Sequence, residues 1–445
     1  MGFLSGAVTF LRFRVAGPAP RLFDQEHLDR LADLAAGRQR IAAADGVEVG
    51  WTAGGHVLDT DFTLDKNVVN DSLHFELCVE SDKLPADKLK AYTAVELAAL
   101  AKNNPSGFAS ARQKREAKEI ARERLEEEAK DGRYRKRKCV PVMWDRTTNE
   151  VLFGATSLTQ VDRLCSLFEQ TFGVGLGAIT ADALAARFAN DPATEHDECE
   201  NCGPEFDRQE IEQEETTVAT GEKRTVVYTF CRECHALDPE MGSTVNSVNP
   251  IDDAKPSAFI PGTSTADVAW IPHEDNFDWL GNEFMLWLWY YLDVNSDTLT
   301  LPDASEATVM IARSLTLECP RGQTGADAFA HEGPARLPEA RRAIQSGKLP
   351  RKCGLTVVRH DQQYEFTLHA ETLAVGAAKL PAQEDATGRA IVEGRVGQVR
   401  HLIETIDGLY SCFLSRRLGR EWADELRGMQ GWLSRKERAA SGEAA

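Results

Sequence analysis

Four of the ten cysteines stand as two CxxC pairs, Cys199 and Cys202 in ECENC and Cys231 and Cys234 in CRECH. Two such knuckles joined by a hairpin bring four thiolates to the corners of a tetrahedron, as in a zinc ribbon. Four protein ligands leave no open position, so the expected cofactor is one structural zinc per chain, with iron or a redox dithiol as the alternatives. His196 and His235 flank the knuckles and are expected to be bystanders. The second group is basic. Lys114, Arg115, Lys118 and Arg122 fall on one side of a helix, while Glu116, Glu119, Glu123, Glu126 and Glu127 gather on the other. Arg133, Arg135, Lys136, Arg137 and Lys138 follow, and cations this dense repel one another unless an anion is near. A stripe of this kind can lie along a phosphate backbone. It is equally the pattern of a solvated helix held by Glu–Arg pairs at i,i+3 and i,i+4, and the residues alone leave the two readings level.

Charge gives the stripe its context. The 445-residue chain carries a formal net charge of -19. Residues 112–138 hold 12 Lys or Arg against 7 Asp or Glu, a balance of 12 − 7 = +5, so the remainder sums to −19 − 5 = −24. An anionic surface repels phosphate at long range, and a nucleic-acid site on it would be a confined groove or channel. No apolar run approaches the roughly 20 residues of a membrane helix. The start MGFLSGAVTFLRFRV reads as a strand rather than a signal peptide, and Gly6 stands where a myristoylation signal wants Ser or Thr. Six scattered cysteines in apolar runs, such as Cys165 and Cys412, fit a reducing cytoplasm better than a disulfide framework.

The elements that would position these groups alternate between both types. Asp24 can cap a helix carrying Leu28, Leu31 and Leu34. SLHFELCVE places Leu73, Phe75, Leu77 and Val79 on one face of a strand. PADKLKAYTAVELAALAK predicts a helix with proline in its first turn, and the charged helix ends near Asp131 and Gly132. VPVMWDRTTNEVLFGAT predicts a hairpin turning at Thr148 and Asn149, and TQVDRLCSLFEQTFG an amphipathic helix with Val161, Leu164, Phe168 and Phe172 inward. TTVATGEKRTVVYTF alternates around a glycine-containing turn. Further on come strand-like ATVMIARSLTLE, a helix around PEARRAIQS, strands in CGLTVVRHDQQYEFTLHAET and a closing helix VRHLIETIDGLYSCFLSRRL. Without a βαβ rhythm the class is α+β.

The expected organisation is an N-terminal α+β region over 1–185 with the basic helix and an acidic four-cysteine insert over 186–240. A linker over 241–278 rich in Ser, Pro, Gly, Asp and Asn, a C-terminal α+β region over 279–432 and a disordered tail over 433–445 complete it. Residues 191–215 hold 11 acidic side chains against Arg208 alone. The insert is therefore expected to avoid DNA and to act as a stabilising knob or as a dock for a protein partner.

The order of these motifs resembles the recombination-associated RdgC family. The similarity runs through Gly50-Trp51, DKLPADKLKAY, QKREAKEIARERLEEE, VMWDRTTNEVLFGA and LFEQTFG, then FMLWLWYYL, RRAIQSGKLPRKCGLTV and YEFTLHA, covering residues 1–185 and 279–430. The resemblance implies a family-specific α+β fold that dimerises into a closed ring. Double- and single-stranded DNA would pass through a basic hole, bound without sequence preference and in competition with RecA. It implies a nucleoid-associated, non-enzymatic protein with Lys114, Arg115, Lys118 and Arg122 in the lumen, joined by Lys348 and Lys352 of SGKLPRK. Tyr134 lies near the position of an aromatic finger at one dimer contact. The four-cysteine insert departs from the family's pattern.

Two further readings stay open on the residues. Scattered carboxylates could form a magnesium-dependent nuclease site, although no phosphate loop, GxGxxG, HExxH or GxSxG occurs. A protein-interaction module working through the zinc insert would not need a basic stripe.

Overall fold

The computed structural model describes residues 2–38, 41–42, 47–82, 84–102, 109–131, 133–189, 208–216, 223–231, 254–260, 277–318, 325–383, 387–419 and 421–434. They form a mixed α+β structure with antiparallel strand pairing. Packing divides the chain into two units, residues 1–178 with 383–397, and residues 179–382 with 398–445.

In the first unit the strands run in the order β2 (Ile41–Ala42), β3 (Glu48–Thr52), β5 (Ser72–Asp82), β6 (Arg135–Asp145), β7 (Glu150–Phe153), β1 (Val8–Val15). The short helix α2 (Leu64–Asn67) leads into β4 (Val68–Val69), which pairs with β5, and β8 (Leu176–Ala178) pairs with β1. β5 alternates as expected: Leu73, Phe75, Leu77 and Val79 enter the core. Helices α1 (Gln25–Asp33) and α5 (Leu158–Phe172) supply the other side. Asp24 caps α1 by accepting from the His27 amide, and Leu28 and Leu31 are buried, while Leu34 is the C-cap residue. On α5 the buried set is Leu164, Leu167, Phe168, Thr171 and Phe172, with Val161 only partly covered. Trp51, Phe75, Trp144, Phe168 and Phe172 meet with ring centroids 4.7–6.3 Å apart, within or near the range in which aromatic pairs add to simple burial.

Gly50 shows why its neighbourhood admits no side chain. Trp51 donates its amide to the Leu34 carbonyl and the Ala36 amide donates to Trp51 (both 2.9 Å), so the chain leaving α1 lies against β3. A Cβ on Gly50 would stand 2.6 Å from the Ala36 Cα.

Between β5 and β6 the chain leaves the sheet as two helices, α3 (Ala86–Lys102) and α4 (Ala111–Ala129), which pack on each other. The β6–β7 hairpin turns as expected, with Asn149 at φ 54°.

The second unit contains α6 (Ala181–Ala189), the hairpin β9 (Arg208–Thr216) and β10 (Lys223–Cys231), and α7 (Trp279–Val294). Its larger sheet runs β11 (Thr298–Thr300), β12 (Glu306–Glu318), β14 (Leu349–Arg359), β15 (Gln362–His369), β16 (Val375–Lys379), with β13 (Ala326–His331) on β12. Helices α8 (Pro338–Gln345), α9 (Arg389–Arg417) and α10 (Trp422–Ser434) complete the chain. α7 is buried from Trp279 to Trp289, and the buried Glu283 within it is neutralised by Arg417 at 2.6 Å. This answers the cost of burying a lone charge. Three features differ from the linear reading: residues 383–397 pack with the first unit, α9 begins well before Val399, and α6 was not anticipated. No helix among the described residues is long and apolar enough to cross a membrane.

Candidate nucleic-acid interface

Helix α4 carries the stripe. Ser110 opens it with a capping box, accepting from the Gln113 amide while the Gln113 side chain accepts from the Ser110 amide, which satisfies donors a helix start leaves bare. Ala117, Ala121 and Leu125, spaced four apart, are the buried face. Small residues there let α3 approach, and the charged residues stay outside. Lys114, Arg115, Lys118 and Arg122 are all exposed. From Lys114 to Arg122 the stripe spans about 12 Å at roughly 1.5 Å per residue.

The four are not equivalent. Arg122 donates to Glu126 at 2.7 Å, the i,i+4 pair of a solvated helix. Among the described residues no ion pair holds Lys114, Arg115 or Lys118.

The base of the helix pair is locked by a polar cluster. Tyr92 and Tyr134 both donate to the Glu128 carboxylate, at 2.6 and 2.7 Å, and Lys88 donates to the Tyr134 hydroxyl at 2.8 Å with its ammonium 4.9 Å from the ring centroid. Arg124 lies 4.5 Å from the Tyr92 ring centroid. The hydroxyls of Tyr92 and Tyr134 hold Glu128 below the usual carboxylate range, and in return Glu128 raises Tyr92. The bond to Tyr134 raises Lys88. Tyr134, expected near a dimer contact, is half-buried with its hydroxyl in this cluster.

Strand alternation then divides the second basic group. Successive side chains point to opposite faces of a sheet, so Lys136 and Lys138 share the face of Val140, Val142 and Trp144, while Arg135 and Arg137 take the other. Both lysines are exposed, and no ion pair among the described residues holds them. The arginines were expected to meet phosphate. Instead Arg137 Nη2 lies 2.7 Å and Arg135 Nη1 3.2 Å from the buried Glu80, and Arg135 also reaches Glu48 at 3.5 Å. Their reason is β5: an acidic residue inside a sheet face must be neutralised by the adjacent strand. Arg133 is exposed and chelates Asp131.

In the second unit, Lys348 was also expected to meet DNA. It is buried, and its Nζ donates to Asp327 at 2.7 Å. Lys352, on β14 opposite Thr316 and His369, is exposed and has no ion pair among the described residues. The exposed members of the expected set without an ion pair among the described residues are therefore Lys114, Arg115, Lys118, Lys136 and Lys138 in one unit and Lys352 in the other.

Sequence reasoning missed a histidine pair in the second unit. His360 Nδ1 stands 3.2 Å from His401 Nε2, and the Tyr364 hydroxyl 2.9 Å from His401 Nδ1. Burial, then the nearby Arg359, push His401 down. His360 and Asp361 form the β14–β15 turn with φ 48° and 59°. A separation of 41 residues hid the contact.

Cys199, Cys202 and Cys234, with His196 and His235, lie outside the described residues. Cys231 ends β10 opposite Arg208 of β9. Among the described residues no group of three or more His, Cys, Asp or Glu could hold a metal ion.

Comparison with known proteins finds no matching family model and no matching curated sequence.

Proposed function

We propose that this chain is a sequence-nonspecific DNA-binding protein that acts as a homodimeric ring around double- or single-stranded DNA and so restrains RecA-dependent recombination at the nucleoid. One observation carries the reading: on an anionic chain, three exposed cations on α4 lie within about 6 Å of helix rise, with two more exposed lysines on β6, and none of the five has an ion pair among the described residues. Unpaired cations release a phosphate's condensed counterions on binding, whereas paired ones must first break a bond within the protein. Lys352 is the candidate contact of the second unit, and Tyr134 the candidate dimer contact through its ring. The role needs no catalytic residue. The test is a mobility shift with covalently closed circles and with the same DNA linearised, at rising salt. Retention on circles at salt that strips linear DNA supports encirclement, and no binding to either DNA at any salt overturns the reading.

We also propose one structural zinc held by Cys199, Cys202, Cys231 and Cys234. The β9–β10 ladder pairs Arg208 with Cys231 at its open end, and both knuckles leave the hairpin from that end in the sequence. This is the topology a ribbon site needs. Metal analysis of the purified protein tests it: about one zinc per chain is expected, and less than half an equivalent contradicts it.

A further inference from the structure

The β5–β6 ladder sets Cys78 directly opposite Cys139. Opposed residues of an antiparallel pair have Cα atoms about 4.5 Å apart at non-hydrogen-bonded positions and about 5.5 Å at hydrogen-bonded ones. A disulfide spans about 4.4–6.8 Å between Cα atoms. The pair meets that requirement at either kind of position. Alternation turns both side chains to the face opposite Leu77, Val79 and Val140. Both are free.

The two sulfurs differ in access. Cys78 is buried and Cys139 half-buried, so a small oxidant meets Cys139 first. The neighbouring Cys78 thiol, aided by the Thr52 hydroxyl, pushes the Cys139 thiol down against the effect of burial. The Cys139 thiol and burial push Cys78 up. The more accessible sulfur is thus the one a peroxide reaches, and the buried sulfur opposite it is placed to resolve the product.

We propose that Cys78 and Cys139 form a peroxide-oxidised dithiol site in which the Cys139 thiolate attacks hydrogen peroxide and Cys78 resolves the product as a disulfide. In the first step the Cys139 sulfur takes one peroxide oxygen, the O–O bond breaks, and the leaving hydroxide takes a proton as water. In the second, the Cys78 sulfur attacks the sulfenic sulfur and its S–O bond breaks. That oxygen leaves as a second water carrying the Cys78 proton. Two thiols and one peroxide thus give one disulfide and two waters.

The position of the bond matters. Residues 79–138, which include α3, α4, Lys136 and Lys138, lie between the two cysteines. The bond would fasten β5 to β6 where the helix pair leaves the sheet. The inference stands apart from DNA binding.

Full-length protein treated with hydrogen peroxide and digested without reductant tests it by mass spectrometry. The expected product is a peptide pair joined through Cys78 and Cys139, lighter than the two thiol peptides by two hydrogens and separated by dithiothreitol. In Cys139→Ser, at the half-buried position, the joined pair is absent and Cys78 stays a thiol. In Cys78→Ser, dimedone traps Cys139 as sulfenic acid. The proposal is overturned if Cys139 of the unaltered protein proceeds to sulfinic acid with Cys78 still a thiol. Failure of any joined pair to form, or Cys78 oxidised in Cys139→Ser, overturns it equally.

Discussion

Arg137 stands directly opposite Glu80 across the β6–β5 ladder, with its Nη2 2.7 Å from a carboxylate that is 4% exposed. One residue further along, Lys138 faces the other way, exposed and without an ion pair among the described residues. The same run of cations thus contains one residue that holds the sheet together and one that is available to a phosphate.

Their substitutions should separate accordingly. Removing one partner of a buried pair leaves the other charge uncompensated, at a cost of about 3–5 kcal/mol when nothing replaces it. Arg135 remains beside Glu80, so Arg137→Ala should lower unfolding free energy by about 2 kcal/mol. Lys136→Ala with Lys138→Ala should change it by no more than about 0.5 kcal/mol per site and should weaken DNA binding. Urea unfolding and DNA titration at one fixed salt check the pair. Equal stability losses from both changes would contradict the assignment.

Gly50→Ala should be among the costlier single-methyl additions in the chain. Its Cβ would meet backbone at 2.6 Å and cannot be relieved by turning a side chain. The crossing of the Ala35–Ala36 segment would have to shift, at about 1–3 kcal/mol, the usual cost of overpacking. Thermal unfolding measures it, and an unchanged midpoint would show that the segment yields freely.

Acid should loosen the helix pair before the sheet. The Tyr92 and Tyr134 hydroxyls hold Glu128 below its ordinary value of 4.5. A depressed carboxylate contributes stability that is present above its unfolded pKa and lost as pH falls through the folded one. Hydrogen exchange in α3 and α4 should therefore accelerate as pH drops below about 4.5, after correction for intrinsic rates. Glu128→Gln should lack that step, and an acid step of the same size in that variant would assign it elsewhere.

The sequence made the first unit's framework legible because its periods are local. Leu73, Phe75, Leu77 and Val79 alternate, Leu164 and Phe168 recur at helical spacing, and Asp24 announces a cap. The site was harder to read. Whether a cation is free depends on its partner, and those partners sit across strands: Glu80 is 57 residues from Arg137 (137 − 80), and Asp327 is 21 from Lys348 (348 − 327). Helical spacing identified the basic side of α4 and the possibility of Glu–Arg pairs at i,i+4, but it set Glu126 on the opposite side from Arg122, with which the structure pairs it. The packing of residues 383–397 with the first unit left no sequence signal at all.

The salt dependence of duplex DNA binding, compared between the unaltered chain and Lys114→Ala, Arg115→Ala, Lys118→Ala combined, tests the α4 stripe most directly. Each neutralised phosphate contributes about 0.9 to the slope of log K against log salt. Loss of three contacts should therefore flatten the slope by about 2.7. These exposed positions carry little stability, so the variant should unfold at the same denaturant concentration. An unchanged slope in a folded variant would remove α4 from the DNA interface.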